Sequence, residues 1–200
     1  MNRKIFFRNR ELSVFDSVYA PREDSFLLAQ SVEVMKGASV LDLGCGSGIQ
    51  GINALALGAA KVLFADLNKN ALENALLNAE KLGFAEKATA RESDLFSKIN
   101  EKFDCIIFNP PYVETEKITE GERDVAGGRN GREVLDRFLA EFPRHLAEGG
   151  ACFFLQSDLN GVKETESALE KAGLSFSVIA RKRIFFEELL VFRCLQRKHF

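Results

Sequence analysis

Apolar and polar positions alternate between two periods along most of the chain. SVLDL (39–43) is a short apolar run with strand character, and GIQGINALALGA (48–59) carries its apolar residues at helical spacing. KVLFAD (61–66) reads as a second strand. NKNALENALLNAEKLG (68–83) reads as a helix with Asn68 or Asn70 near its start and Gly83 at its end. KATARES (87–93) is a more polar strand, and FDCIIFN (103–109) is an apolar strand of the kind buried on both faces. GREVLDRFLAEFPRHLAEGG (131–150) predicts a helix closed by two glycines, ACFFLQS (151–157) a strand, and NGVKETESALEKAG (160–173) a helix ending at Gly173. LSFSVIARKRIFFEELLVFRCL (174–195) predicts an antiparallel hairpin around a basic turn. Strand–helix alternation of this kind implies parallel strands joined by right-handed helical crossovers, with both sheet faces covered. Residues 113–130 show no clear periodicity and predict a long loop, a frequent carrier of function.

Composition narrows the classes. Two hundred residues, 46% hydrophobic and 28% charged, fit one soluble domain: a flank with a first helix over 1–36 and a core over 37–200. A net charge of −2 argues against a protein built to grip duplex nucleic acid. Arg3, Lys4, Arg8 and Arg10 read as a solvated terminal arm. No apolar run reaches the roughly 20 residues of a membrane span, and MNRKIFFRNR lacks a secretory apolar core. Cys45, Cys105, Cys152 and Cys194 are widely spaced without a C-x-x-C pair, which disfavours a zinc site or a disulfide framework. Buried, reduced thiols and a cytoplasmic setting are expected, and no metal.

The candidate chemistry begins at LDLGCGSGIQG. Gly46, Gly48 and Gly51 match G-x-G-x-x-G, with Asp66 twenty residues after Gly46, a pattern that fits dinucleotide binding. The charges point elsewhere. Asp42 stands just before the glycines, Asp66 ends the second strand, Asp94 follows a later one, and Asp24 lies in the flank. Carboxylates repel a pyrophosphate and suit a cation. S-adenosylmethionine carries a sulfonium and an ammonium and no phosphate. Gly44, Gly46 and Gly48 would let the backbone approach its methionine end. Asp66 would accept from the ribose hydroxyls, and Asp94 with Leu95 would meet the adenine. The alternatives are Asp42 as a structural cap and Asp94 as an ordinary N-cap.

FNPPY (108–112) closes the 103–109 strand with two prolines. Together with the glycine loop it resembles class I S-adenosylmethionine-dependent methyltransferases whose N-P-P-Y motif serves planar nitrogens: amino groups of bases, or the side-chain amide of glutamine. YAPREDSFLL (19–28) and AGGRNGREVLDRF (126–138) resemble segments of the HemK-type family, the second in its short archaeal and eukaryotic branch. The resemblance implies a Rossmann-like fold with a mostly parallel seven-stranded sheet, helices on both faces and a C-terminal antiparallel hairpin. It implies methylation of the glutamine in the G-G-Q motif of a peptide-chain release factor, and pairing with a small zinc-binding activator subunit. Residue by residue, it places Asn109, Pro110 and Tyr112 in catalysis, and Asn109, Pro111, Tyr112 and Arg129 against substrate. Tyr19, Pro21, Asp24, Ser25, Asp42, Gly44, Gly46, Gly48, Asp66, Leu67, Asp94, Leu95 and Asn109 would hold the cofactor. The sequence departs from the family at Ala20, where many relatives carry an acid. It has no room before Tyr19 for the substrate domain of the bacterial enzymes.

An amide nitrogen is a poor nucleophile because its lone pair is delocalised. Asn109 Oδ1 and the Pro110 carbonyl can accept its two N–H groups and favour the charge that builds during transfer. Tyr112 can pack on the planar target. Gly127, Gly128 and Gly131 read as hinges of a flap, and ETEKITEGERD (114–124) as a solvated lid. Adenine methylation, a lysine on another protein, and a silent binding scaffold are the alternatives.

Overall fold

The computed structural model describes residues 3–112 and 131–196. Strands β1 (Arg3–Phe7) and β2 (Arg10–Val14) pair as a hairpin, so this stretch is folded rather than an arm, while Arg3, Lys4 and Arg8 remain solvent-exposed as expected. Its two-residue turn has Arg8 and Asn9 at φ 46° and 61°, the left-handed pair that a tight hairpin needs. Leu12 and Val14 bury their side chains. The backbone beyond them is held by two asparagines of the third helix. Asn78 Oδ1 accepts from Ser13 N at 2.8 Å, and Asn74 Oδ1 from Phe15 N at 2.8 Å.

Helix α1 (Glu23–Ser31) leads to a seven-stranded sheet built from β3 (Ser39–Leu43), β4 (Lys61–Asp66), β5 (Ala88–Glu92), β6 (Phe103–Phe108), β7 (Leu146–Ser157), β8 (Leu174–Ile184) and β9 (Glu187–Gln196). The order is β5-β4-β3-β6-β7-β9-β8, with β9 antiparallel to both neighbours and the other pairs parallel. Helices α2 (Ile49–Leu57), α3 (Lys69–Lys81), α4 (Glu133–Glu141) and α5 (Val162–Lys171) make the crossovers. Side chains alternate across the sheet, so one strand feeds two cores. Cys105 and Ile107 join Val40, Phe64 and Phe153 in one cluster, while Ile106 and Phe108 join Leu41, Phe138 and Phe154 in the other. All four cysteines are buried and free. Among the described residues no helix is long and apolar enough to cross a membrane.

Two boundaries differ from the sequence reading. The helix predicted over 131–150 ends at Glu141. Pro143 then sits in a short 3-10 turn (Phe142–His145), and β7 starts at Leu146. Proline lacks the N–H that would continue the helix. Gly149 and Gly150 lie in a strand irregularity, where β6 pairs Phe103 with Leu146 and Cys105 with Ala151. The C-terminal turn is not basic either. Arg181–Arg183 belong to β8, and the chain reverses at Phe185–Phe186.

The topology fixes where a site can form. From β3 the chain winds outward to β5, then crosses back to β6 on the other side of β3. Leu43 and Phe108 end up paired. The glycine loop after β3 and FNPPY after β6 therefore leave adjacent strands side by side. This is the strand-order switch where open α/β sheets bind ligands.

Candidate active site

The glycine loop contains two kinds of glycine. Gly51 lies so close to the sheet that a Cβ would stand 2.3 Å from Phe64, and at Gly48 it would stand 2.8 Å from Ala75 of α3. Those positions are small because helices pack there. Gly44 and Gly46 have φ of 60° and 50°, and a Cβ on Gly46 would meet nothing within 4 Å. A Cβ on Gly44 would press on the Phe108 ring at 3.3 Å, while Gly46 faces open space; this left-handed stretch of bare backbone fits the methionine end of S-adenosylmethionine. Gly48 does not share that open face.

Asp42 is 1% exposed, and its Oδ2 accepts from Gly51 N at 2.8 Å, so it caps the first turn of α2. Burial pushes its carboxyl well above the usual range. Asp66 bridges two loops: Oδ2 accepts from Gly46 N at 3.0 Å and Oδ1 from Asn68 N at 2.8 Å. Burial raises its pKa too, against the lowering effect of those N–H bonds. Beside it Leu67 is 64% exposed, an apolar ledge next to a carboxylate. Such a pair suits a nucleoside with its ribose on the acid and its base on the leucine. Asp94 and Leu95 take other roles. Asp94 Oδ2 accepts from Arg137 Nη2 of α4 at 2.8 Å, and the Leu95 side chain is buried in the second core cluster.

The part of the site around FNPPY is assembled from distant segments. Asp24, at the start of α1 and 3% exposed, is its hub. Its Oδ2 accepts from Tyr19 OH at 3.1 Å and from Asn109 Nδ2 at 3.0 Å, and its Oδ1 from Ser25 N at 2.6 Å. Ser25 Oγ lies 3.4 Å from the same Asn109 nitrogen. Gln50 of α2, which the sequence reading did not single out, donates to Ser25 O at 2.9 Å. A carboxylate only accepts, so it fixes which way the Asn109 amide faces. Nδ2 is committed to Asp24. Oδ1 is buried and has no hydrogen-bond partner among the described residues. An unsatisfied buried acceptor costs about 1–3 kcal/mol, and a ligand N–H would remove that cost.

Pro110 is buried, as is Pro21 in the flank; Pro111 and Tyr112 are half-buried. The Tyr112 phenol is pushed up by burial and by the nearby Asp24, so it stays neutral. Its carbonyl accepts from Asn160 Nδ2 at 3.1 Å. Gly131 fits between these two groups at φ 65°, where a Cβ would lie 2.3 Å from each. Arg132 Nη1 reaches across to the carbonyls of Asn160 and Gly161 and to Thr165 Oγ1, while its other edge pairs with Asp136 at 2.6 Å. The Arg132–Asp136 spacing of four is visible in the sequence; the links to Asn160 and Gly161 are not. Arg129, Gly127, Gly128 and the acidic 114–124 stretch lie outside the described residues. Among the described residues no group of His, Cys, Asp and Glu forms a metal site.

The fold and this site define a class I S-adenosylmethionine-dependent methyltransferase. The model of the methyltransferase small domain matches residues 17–186, and the chain belongs to that family, on its HemK-like side. It is 42% identical over 190 residues to a candidate protein N5-glutamine methyltransferase of Methanocaldococcus jannaschii, covering 90% of this chain and 93% of that protein. It is 31% identical over 194 residues to the human methyltransferase HEMK2, covering 90% of each. Among solved structures it resembles the E. cuniculi Mtq2–Trm112 complex, described as responsible for methylating the translation termination factor eRF1. The TM-score is 0.72 at 28% identity, over 90% of this chain and 99% of that one. A tRNA m1G37 methyltransferase of M. jannaschii reaches a TM-score of 0.71 at 16% identity, over 98% of this chain and 55% of that one, and shares the fold alone.

Proposed function

We propose that this methyltransferase acts on the side-chain amide of glutamine in the G-G-Q motif of a peptide-chain release factor. The observation that carries the reading is Asn109 Oδ1, a buried acceptor left without a partner among the described residues because Asp24 takes the other end of the amide. S-adenosylmethionine supplies the electrophilic methyl group. The chain's own part is to accept one N–H of the target at Asn109 Oδ1 and the other at the Pro110 carbonyl. Both acceptors stabilise positive charge developing on nitrogen, and the double proline keeps them fixed, so orientation supplies much of the rate. A clamp for –NH2 serves adenine as well as glutamine. The similarity to the M. jannaschii protein named for N5-glutamine methylation, and to Mtq2, named for methylation of a termination factor, favours glutamine. The Mtq2–Trm112 complex supports a partner subunit, taken from the family resemblance to be a small zinc-binding activator, and the buried free thiols suit a cytoplasmic setting. The test is methyl transfer from labelled cofactor to an intact release factor, with and without the activator, followed by mass spectrometry of the G-G-Q peptide. A methyl on that glutamine is the expected result. Transfer to adenine in oligonucleotides, with an unmodified release factor, overturns the reading.

A further inference from the structure

The turn between β8 and β9 breaks two local rules at once. Ile184 pairs with Glu187, so the loop is two residues long, Phe185 and Phe186. Such loops favour Asn-Gly or Asp-Gly, because left-handed backbone is strained for a bulky residue. Here Phe185 has φ 42°. The two rings are also 96% and 90% exposed, the most water-exposed large apolar side chains among the described residues. Neither feature helps the fold. A sequence that contradicts its own local structure does so chiefly at functional places.

The location is informative. Phe185 and Phe186 stand at a cleft of about 530 Å³ whose lining includes Ile184, Leu159, Tyr112 and Arg132. Leu159 is a third exposed apolar side chain, at 68%. Glu187 and Glu164 supply charge beside Arg132. Tyr112 belongs both to this cleft and to the N-P-P-Y corner, so the cleft borders that corner through Tyr112. A body seated on the strip while its side chain reaches Asn109 must itself carry that side chain.

We propose that Phe185, Phe186 and Leu159 form a docking strip for the protein substrate, gripping apolar residues that flank the target glutamine. The inference rests on the protein-substrate reading above. The clamp then selects the –NH2 group, and the strip selects a polypeptide over a nucleic acid. Buried aromatic anchors carry a large share of interface energy.

The test compares the wild type with Phe185→Ser/Phe186→Ser on an intact release factor, with the activator present. Wild-type transfer to the G-G-Q glutamine secures the activity first; its absence overturns both readings. Given that transfer, the double variant should raise KM for the release factor roughly tenfold or more, with kcat and cofactor affinity within about twofold. An unchanged KM overturns the docking strip and leaves the methyltransferase reading standing. A second measurement identifies the occupant. Phe186→Trp puts a fluorophore into a chain with no tryptophan of its own. Its emission should be that of a solvated indole in the free enzyme and shift to the blue on adding a tryptophan-free release-factor domain. An emission already blue in the dilute enzyme means that another part of the chain covers the strip. A blue shift on concentrating the enzyme alone means a second copy does, and a shift with the activator alone means the activator does. Each of these overturns the proposal.

Discussion

The two halves of the site are built on opposite principles. On the cofactor side, Asp42, Asp66, the glycine loop and the start of α2 come from consecutive strand, loop and helix. Both aspartates bond backbone N–H groups of this same stretch. On the side around FNPPY, Tyr19, Asp24, Asn109, Gly131 and Asn160 come from segments far apart in the chain. That side also keeps a buried acceptor without a partner among the described residues, and two exposed phenylalanines. The first half is a finished piece of structure that a ligand can enter. The second leaves groups open for a ligand to complete. Damage to the first should therefore appear mainly as lost stability, and damage to the second as lost turnover.

Asn109→Ala should give the largest effect. It removes the acceptor aimed at the target and leaves Asp24 with Tyr19 and Ser25. We expect kcat to fall by about a hundredfold to a thousandfold or more, the range for a lost preorganised electrostatic partner. Cofactor affinity by calorimetry and the melting temperature should be nearly unchanged. Near-normal turnover would remove the amide clamp from the mechanism.

Two glycines sharpen the comparison further. At Gly131 an added Cβ meets the Tyr112 carbonyl and Asn160 Nδ2, so Gly131→Ala must displace the N-P-P-Y corner. Displacement of about 1 Å at a reacting centre can cost about a hundredfold. We expect kcat/KM to drop by that order with a smaller loss of stability. Gly51→Ala instead drives a methyl into Phe64 and Val62 of β4. Overpacking of this kind costs about 1–3 kcal/mol, read by denaturant unfolding, while turnover per folded molecule should stay close to wild type. The reverse pattern would mean that the two halves are not separable.

The same contrast governs what the sequence revealed. The alternation of periods gave the strands from β3 to β7 in order, and the motif LDLGCGSG located the cofactor loop because its parts are contiguous. The sheet's neighbour relations put FNPPY beside that loop; the prolines marked only where its strand ends. Residues tied by long-range contacts were less legible. Nothing local marks Gln50 or Asn160 as partners of Ser25 and Tyr112. Leu95 looked like a ligand residue, yet its side chain belongs to the core. Pro143 was the missed stop signal inside the 131–150 helix. The turn at Phe185–Phe186 was missed because its residues are those a turn normally avoids.

The smallest effect should come from Asp42→Asn, and it appears in the pH dependence more than in the absolute stability. Asparagine keeps an oxygen for Gly51 N, removes a buried charge, and adds a buried –NH2 that needs a partner, so the net change at neutral pH should be within about 1–2 kcal/mol. The slope is the readout. The Asp42 carboxyl is raised above its unfolded value by burial, so its contribution is complete below the ordinary aspartate range and is lost as pH rises through the folded pKa. Asp66 is raised in the same direction and remains in the variant. Wild-type stability should therefore fall faster than that of the variant as pH climbs above the ordinary aspartate range, and the curves should run parallel below it. Urea unfolding across that range checks this. Parallel curves throughout would mean that Asp42 folds with its charge fully compensated. In that case the cap on α2 acts as an ion rather than as a neutral hydrogen-bonding group, and Asp42→Asn should weaken binding of the sulfonium cofactor more than that of its uncharged thioether product.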